Sequence, residues 1–467
     1  MNKLTLHKTL FAAVLSGLML FTACDKQIDL APESIITEKD ALTYQKGSER
    51  LLANAYINLM KASKGDAYII GDMTTKLSTG FSKNYENGTI DSRNSITGAM
   101  WSDNYATINL VNVIIDKLPV YATYDKAIQK QFIAEAKFIR AASYLNLIKL
   151  FGEGALEGKM ENLGVPLRLS AFDGYDGSQN IPRSTNGQVY SQILKDLNEA
   201  IPELNATFTT NVDLHARATR ASARALASRV SLYKRDYTAT IDYSNEVLAD
   251  ASFSLESSLK SVFPIYNQGV KDVPFSKEVL FGFPFSWNKD VTQYKEHNIG
   301  YYFGYLKPDT TVFLKTYNAD DMRRTEFFVD PTNKNRTLKF SSPGSVDNLM
   351  MIRLSEVLLN KAEAEANQNG VTTIAVDLLN QVYQRAFPDN KKPLPYTVSD
   401  FSSKQALIDR ILQERRWELA FEGHDRYDFI RTGRQPNATL PANKYALPIP
   451  QREIDITNGL IKQNSGY

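Results

Sequence analysis

Cysteine is all but missing from this chain. Of 467 residues only Cys24 carries a thiol, which excludes an internal disulfide framework and any cysteine-rich zinc or iron–sulfur site. A surplus of charge is missing too: Lys and Arg number 54 against 52 Asp and Glu, a formal net charge of +2. That balance gives no electrostatic case for nucleic acid or an anionic membrane surface as a partner. Motifs that carry chemistry are absent: there is no H-E-x-x-H, no G-x-S-x-G and no phosphate-binding glycine loop. No catalytic residue, metal or cofactor is therefore expected.

Long apolar runs are confined to the first residues. Lys3 and Lys8 precede a nearly uninterrupted apolar stretch over 9–23 that ends in small residues, the layout of a secretory signal peptide. It is short for a spanning helix, which needs roughly 20 residues. Leu20-Phe21-Thr22-Ala23-Cys24 resembles a bacterial lipobox, in which cleavage falls before the cysteine and the thiol is acylated. The expectation is a signal peptide over 1–23, lipidation at Cys24 and a polar tether over 24–37, with each buried acyl methylene contributing about 0.8 kcal/mol to anchoring.

From Glu38 helical periodicity takes over. Leu51, Leu52, Ala55, Tyr56 and Leu59 recur at spacings of three and four, as do Trp101, Tyr105, Ile108, Val111, Asn112 and Ile115, and then Phe132, Ala136, Ile139, Ala142, Ser143, Leu147 and Leu150. Residues 218–233 and 237–248, separated by Lys234-Arg235-Asp236, have the shape of a tetratricopeptide hairpin. Residues 352–367 and 372–385 repeat it, with Thr372, Ala375 and Val376 standing where Tyr237, Thr240 and Ile241 stand in the first. Ala221, Ala225, Ala362 and Ala366 suit close helix approach. Between the hairpins, about 263–343 is rich in Phe, Tyr, Trp, Pro and Gly without a sustained helical period. The expected fold is mostly α: one domain over 38–467, a tetratricopeptide-like hairpin scaffold carrying a loop-rich irregular subdomain, where binding should sit.

Three segments resemble the SusD/RagB family. Phe138-Ile139-Arg140-Ala141-Ala142-Ser143-Tyr144, running to Leu150-Phe151-Gly152, is similar to the family's Arg-Ala helix with its aromatic-Gly turn. Arg415-Arg416-Trp417-Glu418-Leu419-Ala420-Phe421-Glu422-Gly423-His424, followed by Tyr427-Asp428-Phe429-Ile430-Arg431, is similar to its most characteristic stretch. Leu447-Pro448-Ile449-Pro450-Gln451 with Glu453-Ile454, then Gln463-Asn464-Ser465-Gly466-Tyr467, resembles its terminal signature. Asp425 stands where many members have Arg, and Ser465 where Pro is usual. The resemblance implies a surface lipoprotein of the outer membrane that binds without catalysis and caps a SusC-like TonB-dependent transporter. It also implies a nutrient ligand, best known as a glycan and in some members a peptide.

The acidic block Glu414, Glu418, Glu422, His424, Asp425 and Asp428 imitates a metal or acid–base cluster. Four-residue spacing puts the three glutamates on one helix face, where Arg415, Arg426 and Arg431 could pair with them or with nearby carbonyls, so scaffold pairing is the reading adopted. Trp101 and Trp417 read as core from their helical register. Trp287 differs, lying in the irregular segment with Tyr294, His297, Asn298, Tyr301, Tyr302 and Tyr305. Aromatic faces beside amides are what a sugar site needs. A second candidate region, 72–94, offers Asp72, Phe81 and Tyr85. The function expected is glycan capture for a transporter. A peptide-binding relative and a helical-repeat adaptor with no ligand of its own remain open alternatives.

Overall fold

The computed structural model describes residues 37–64, 70–79, 83–266, 273–284, 307–309, 312–327, 337–342 and 347–467. Ten helices carry the scaffold: α1 (Gln45–Lys64), α2 (Ser95–Tyr121), α3 (Lys126–Phe151), α4 (Asn186–Ala200), α5 (Arg220–Lys234), α6 (Tyr237–Leu248), α7 (Leu354–Asn369), α8 (Thr373–Gln384), α9 (Lys404–Glu418) and α10 (Asp425–Arg431). Four short strands, β1 (Ser78–Thr79), β2 (Val279–Phe283), β3 (Lys307–Pro308) and β4 (Leu349–Arg353), pair antiparallel as β1 with β3 and β2 with β4.

The helices start where short polar side chains can take the orphan N–H groups of a first turn. Asn94 accepts from the Thr97 N–H at the head of α2, Asp125 from those of Ala127 and Ile128 at α3, and Thr185 and Thr219 form capping boxes with Gln188 and Ser222. α3 is the axis of the molecule. It packs against α1, α2 and α4, and from Phe138 to Phe151 every residue is buried, so its sequence is apolar on all sides. Its polar residues find partners: Arg140 forks onto Asp196 at 2.7 and 2.8 Å and donates to Asn112 at 2.9 Å.

Both expected hairpins form, α5–α6 and α7–α8, with α6 lying on α7 and α9 closing on α7. Ala221, Ala225, Ala362 and Ala366 are buried at these contacts. Arg229 of α5 bridges the hairpins to Glu356 of α7 at 2.6 Å. The repeat alignment shifts by one residue from the sequence reading, because the caps set the register. Asp236 and Thr372 are the equivalent N-caps, accepting from Ala239 and Ala375, so Thr240 matches Val376.

The irregular segment also contains a strand, β2, that periodicity did not reveal and that pairs with β4 just beyond the segment. β2 is buried along its whole length, and a strand covered on both faces has no polar alternation to read. One hydrophobic cluster runs from Leu42 to Ile461, with a smaller one beneath α7, α8 and α9. The terminal signature is part of that framework. Asn464, buried, donates to the carbonyls of Phe151 and Leu447 at 3.1 and 2.7 Å and accepts from Arg183 at 2.8 Å.

Candidate functional site

The polar stretch after α1 and the aromatic segment after β2 are far apart in sequence, and the structure ties their ends together. In the β1–β3 pair Ser78 lies opposite Pro308 and Thr79 opposite Lys307, and the Asp309 N–H donates to the Leu77 carbonyl at 3.0 Å. The chain just before Phe81 and the chain just after Tyr305 thus leave from one ladder. A two-residue ladder is marginal in water; its support comes from beneath.

That support begins at the helical turn Gly71–Met73. A side chain at Gly71 would place Cβ 2.5 Å from the Gly423 carbonyl oxygen, so glycine is required for the two segments to touch. Asp72, fully buried, accepts from the Gly423 N–H at 2.6 Å. Burial, then the neighbouring Asp425 carboxylate, push Asp72 well above the usual carboxylate range. Burial raises Asp425 as well, although Arg416 opposes it. Two facing acids share this junction.

Behind the junction the signature stretch forms a buried ionic lattice. Arg353 reaches Glu278 and Glu418 at 2.7 Å and Glu422 at 2.6 Å. Arg385 joins Glu278 to Glu418 at 2.5 and 2.6 Å, and Arg323 reaches Glu414, Asp321 and Glu418 at 2.5, 2.7 and 3.1 Å. Lys339 donates to Glu422 at 2.7 Å and to the carbonyls of Glu418 and Ala420. Burial alone would raise Glu418, but Arg385, Arg353, Arg323 and Lys339 outweigh it and hold the carboxylate well below its ordinary range. Burial brings the Lys339 ammonium down to about 8, with Glu422 working against it.

Glu414 and Glu418 sit one turn apart at the end of α9, as their spacing predicts, whereas Glu422 lies in the turn beyond the helix end; Arg415, Arg426 and Arg431 pair elsewhere, one of them with a nearby carbonyl. Arg415 and Arg431 pair with Asp428, Arg431 also with Glu363, and Arg426 donates to the Tyr445 carbonyl. Arg410 joins Glu414 locally at 2.7 Å, but the other cations, Arg323, Lys339, Arg353 and Arg385, come from distant sequence, and no local spacing signals contacts across that separation. Among the described residues no group of three or more His, Cys, Asp or Glu could hold a metal ion, and no helix is long and apolar enough to cross a membrane.

Asp72 and Tyr85, expected among the ligand contacts, brace the loop from within. Tyr85 is 4% exposed, its hydroxyl 3.3 Å from both Asn94 and Thr97 at the head of α2, and burial raises its pKa. Cys24, Phe81, Trp287, Tyr294, His297, Asn298, Tyr301, Tyr302 and Tyr305 lie outside the described residues. Trp101 is core, 5.0 Å edge-on to Phe151. Trp417 is partly buried, its indole N–H donating to Thr316 at 2.9 Å.

Comparison with known proteins agrees with this architecture. Residues 285–443 match the model of the SusD family, and residues 30–232 match the model described as "Starch-binding associating with outer membrane". SusD-like protein P38 of Formosa agariphila is 25% identical, over 97% of this chain and 98% of its own, and a SusD-like protein of Bacteroides ovatus is 20% identical over 91% and 82%. Among solved structures, a SusD superfamily protein from Bacteroides fragilis superposes with a TM-score of 0.72 at 25% identity, covering 90% of this chain and 99% of that one. A putative sugar binding protein from Bacteroides vulgatus superposes with a TM-score of 0.74 at 24% identity, covering 91% and 99%. With residues 30–232 and 285–443 matched by two models of this family and solved members of similar fold, the chain belongs to the SusD/RagB family.

Proposed function

We propose that this protein is a lipid-anchored binding protein on the outer-membrane surface, which captures an oligosaccharide or polysaccharide and passes it unchanged to a SusC-like TonB-dependent transporter. The observation that carries the reading is the β1–β3 ladder. It pairs Ser78–Thr79 of the first candidate region with Lys307–Pro308, just beyond the aromatic segment, next to a base whose glutamates are neutralised by buried cations. A rigid base lowers the ordering cost of binding. Aromatic rings from the loops, with Trp287, Tyr301 and Tyr302 foremost, cover the apolar faces of pyranose rings, while Asn298 and other amides bond the hydroxyls. Contacts that are individually weak suit a protein that must release its cargo into a channel. The lattice acids Glu278, Glu414, Glu418 and Glu422 are buried and paired with arginine or lysine, which does not suit the two carboxylates of a glycosidase, so the reading is binding without catalysis. Supporting it at the level of relatives, one family model is described as starch-binding and outer-membrane associated, and a structural neighbour from Bacteroides vulgatus is described as a SusD-like carbohydrate binding protein.

The test is calorimetry of the full chain in detergent against a panel of neutral and acidic polysaccharides and their oligomers, with Trp287→Ala and Tyr301→Ala in parallel. Saturable binding that weakens roughly tenfold or more in either variant, the order of one aromatic contact, is the expected outcome. Peptide binding with silence across the sugars would transfer the reading to peptide uptake. New reducing ends released from any oligomer would make the protein an enzyme.

A further inference from the structure

Away from the β1–β3 face, α2 carries a polar stripe that holds a loop against it. Tyr105 donates to the Pro166 carbonyl at 2.8 Å, and Asn112 donates to those of Arg168 and Ser170 at 3.1 and 3.0 Å. Asp116 accepts from the Ala171 N–H at 2.8 Å, Asn109 from that of Phe172 at 3.0 Å, and Lys117 pairs with Asp173 at 2.8 Å. Positions 105, 109, 112 and 116 fall on one helix face, so the loop backbone is read off nearly residue by residue. A loop fixed in this way is a built surface.

Between helix and loop lies a cleft of about 450 Å³, within the ~300–1,000 Å³ range of clefts that enclose small ligands. Its rim exposes two aromatic rings: Phe172 is 49% and Tyr175 71% accessible. The Asn180 amide donates to the Tyr175 hydroxyl at 3.1 Å. At the wall, Arg168 is pinned through its own N–H and carbonyl to the Tyr144 hydroxyl at 2.7 and 2.8 Å. Its guanidinium donates to the Gln179 carbonyl at 2.9 Å and makes no ion pair with a described residue within 4.0 Å. A guanidinium has five N–H donors, which leaves capacity for further oxygen acceptors.

Exposed rings for stacking, a guanidinium and amides for hydroxyl groups, and a cleft of this size are complementary to a short run of sugars. We infer that the cleft between α2 and residues 166–181 is a second glycan subsite, distinct from the β1–β3 face. The inference rests on the glycan-binding reading above and adds a location that reading does not contain. From Asn94, where Tyr85 anchors the first candidate loop, to Asn109 is about 22 Å along α2 at 1.5 Å per residue. One polysaccharide could engage both places, and a very short oligomer could not bridge them. Linked sites raise overall affinity for a polymer without any new contact.

The experiment uses the full chain in detergent and titrates maltotriose, laminaritriose, xylotriose and trigalacturonate by calorimetry, then the corresponding polysaccharides. Wild type is compared with Phe172→Ala/Tyr175→Ala, with Trp287→Ala and with the triple variant. Both loop rings are exposed, so the double variant is expected to unfold at the wild-type temperature. The expected result is that two equivalents of a trisaccharide fall to one in the double variant and to none in the triple, with polysaccharide affinity at least tenfold weaker in the double variant. Saturation-transfer signals from the sugar that persist in Trp287→Ala and disappear when the loop rings are removed from it as well would give the same answer independently of stoichiometry. Trisaccharide binding and polysaccharide affinity unchanged in the double variant overturn this inference while leaving the glycan reading intact. Silence of the wild type towards every sugar overturns both.

Discussion

Glu418 shows what the most characteristic residues of the chain are for. It lies under three arginines and is fully buried, so it cannot change its charge without leaving those cations uncompensated. Removing one partner of such a lattice costs about 3–5 kcal/mol; Glu418→Gln should lower the urea midpoint accordingly, while the fraction that remains folded keeps its ligand affinity. An unchanged midpoint would mean that the lattice contributes no net stability. Titration adds a second residue-scale expectation. Burial lowers both His215 and His424 from 6.5 to about 4, so the unfolded chain binds more protons than the folded one between those values. Stability is then fully present above pH 6.5 and lost as the pH falls towards 4, at about 1.4 kcal/mol per pH unit per histidine where the difference is complete. Burial would raise Glu356, but Arg229 and His424 outweigh it and hold it at about 2. Its contribution survives to lower pH and is lost as the pH falls from 4.5 towards 2. Urea unfolding across this range should show two limbs, and His424→Asn should flatten the upper one.

At the scale of elements, the helices owe their boundaries to side chains that can be named. Thr185 and Thr219 each close a capping box at the head of a scaffold helix. Thr185→Ala and Thr219→Ala should each cost about 1 kcal/mol, additively, since the two caps serve different helices; a double variant measurably worse than the sum would show the caps to be coupled through the α4–α5 contact. These caps, and the three-and-four spacing of the apolar stripes, are local features, which is why helices and hairpins were legible from residues 51–59, 218–248 and 352–385. The strands were not. β2 is uniformly apolar, and β1 and β3 are two residues long, below the length at which alternation can be seen. The cleft along α2 left only a faint trace: Asn109, Asn112 and Asp116 interrupt an apolar helix at one angular position, beside a downstream loop holding Phe172 and Tyr175.

For the whole molecule, the proposed function calls for an anchor. A lone cysteine directly after a signal-like segment leads to the expectation that Cys24→Ser abolishes acylation. Fractionation of expressing cells should then find the variant outside the membrane pellet, where wild type sediments. Retention of the variant in the membrane fraction would overturn lipid anchoring through this residue. The helical stack is held together by its main core cluster, with members from Leu42 to Ile461, and Arg183 fastens the terminal segment to the α3 turn through Phe151, Lys462 and Asn464.

The sequence by itself determined the helical class, the two hairpins and the scaffold role of Glu414 and Glu418. Each of these follows from spacing or composition within a short window. Tertiary structure alone decided which cations neutralise Glu414, Glu418 and Glu422, and that Asp72 and Tyr85 brace a loop from inside. It also decided that the 72–94 region and the segment ending at Lys307 share a ladder. Those are contacts across tens to hundreds of residues, and a chain's order carries no mark of what it will meet at such separations until burial of the common core brings the partners together.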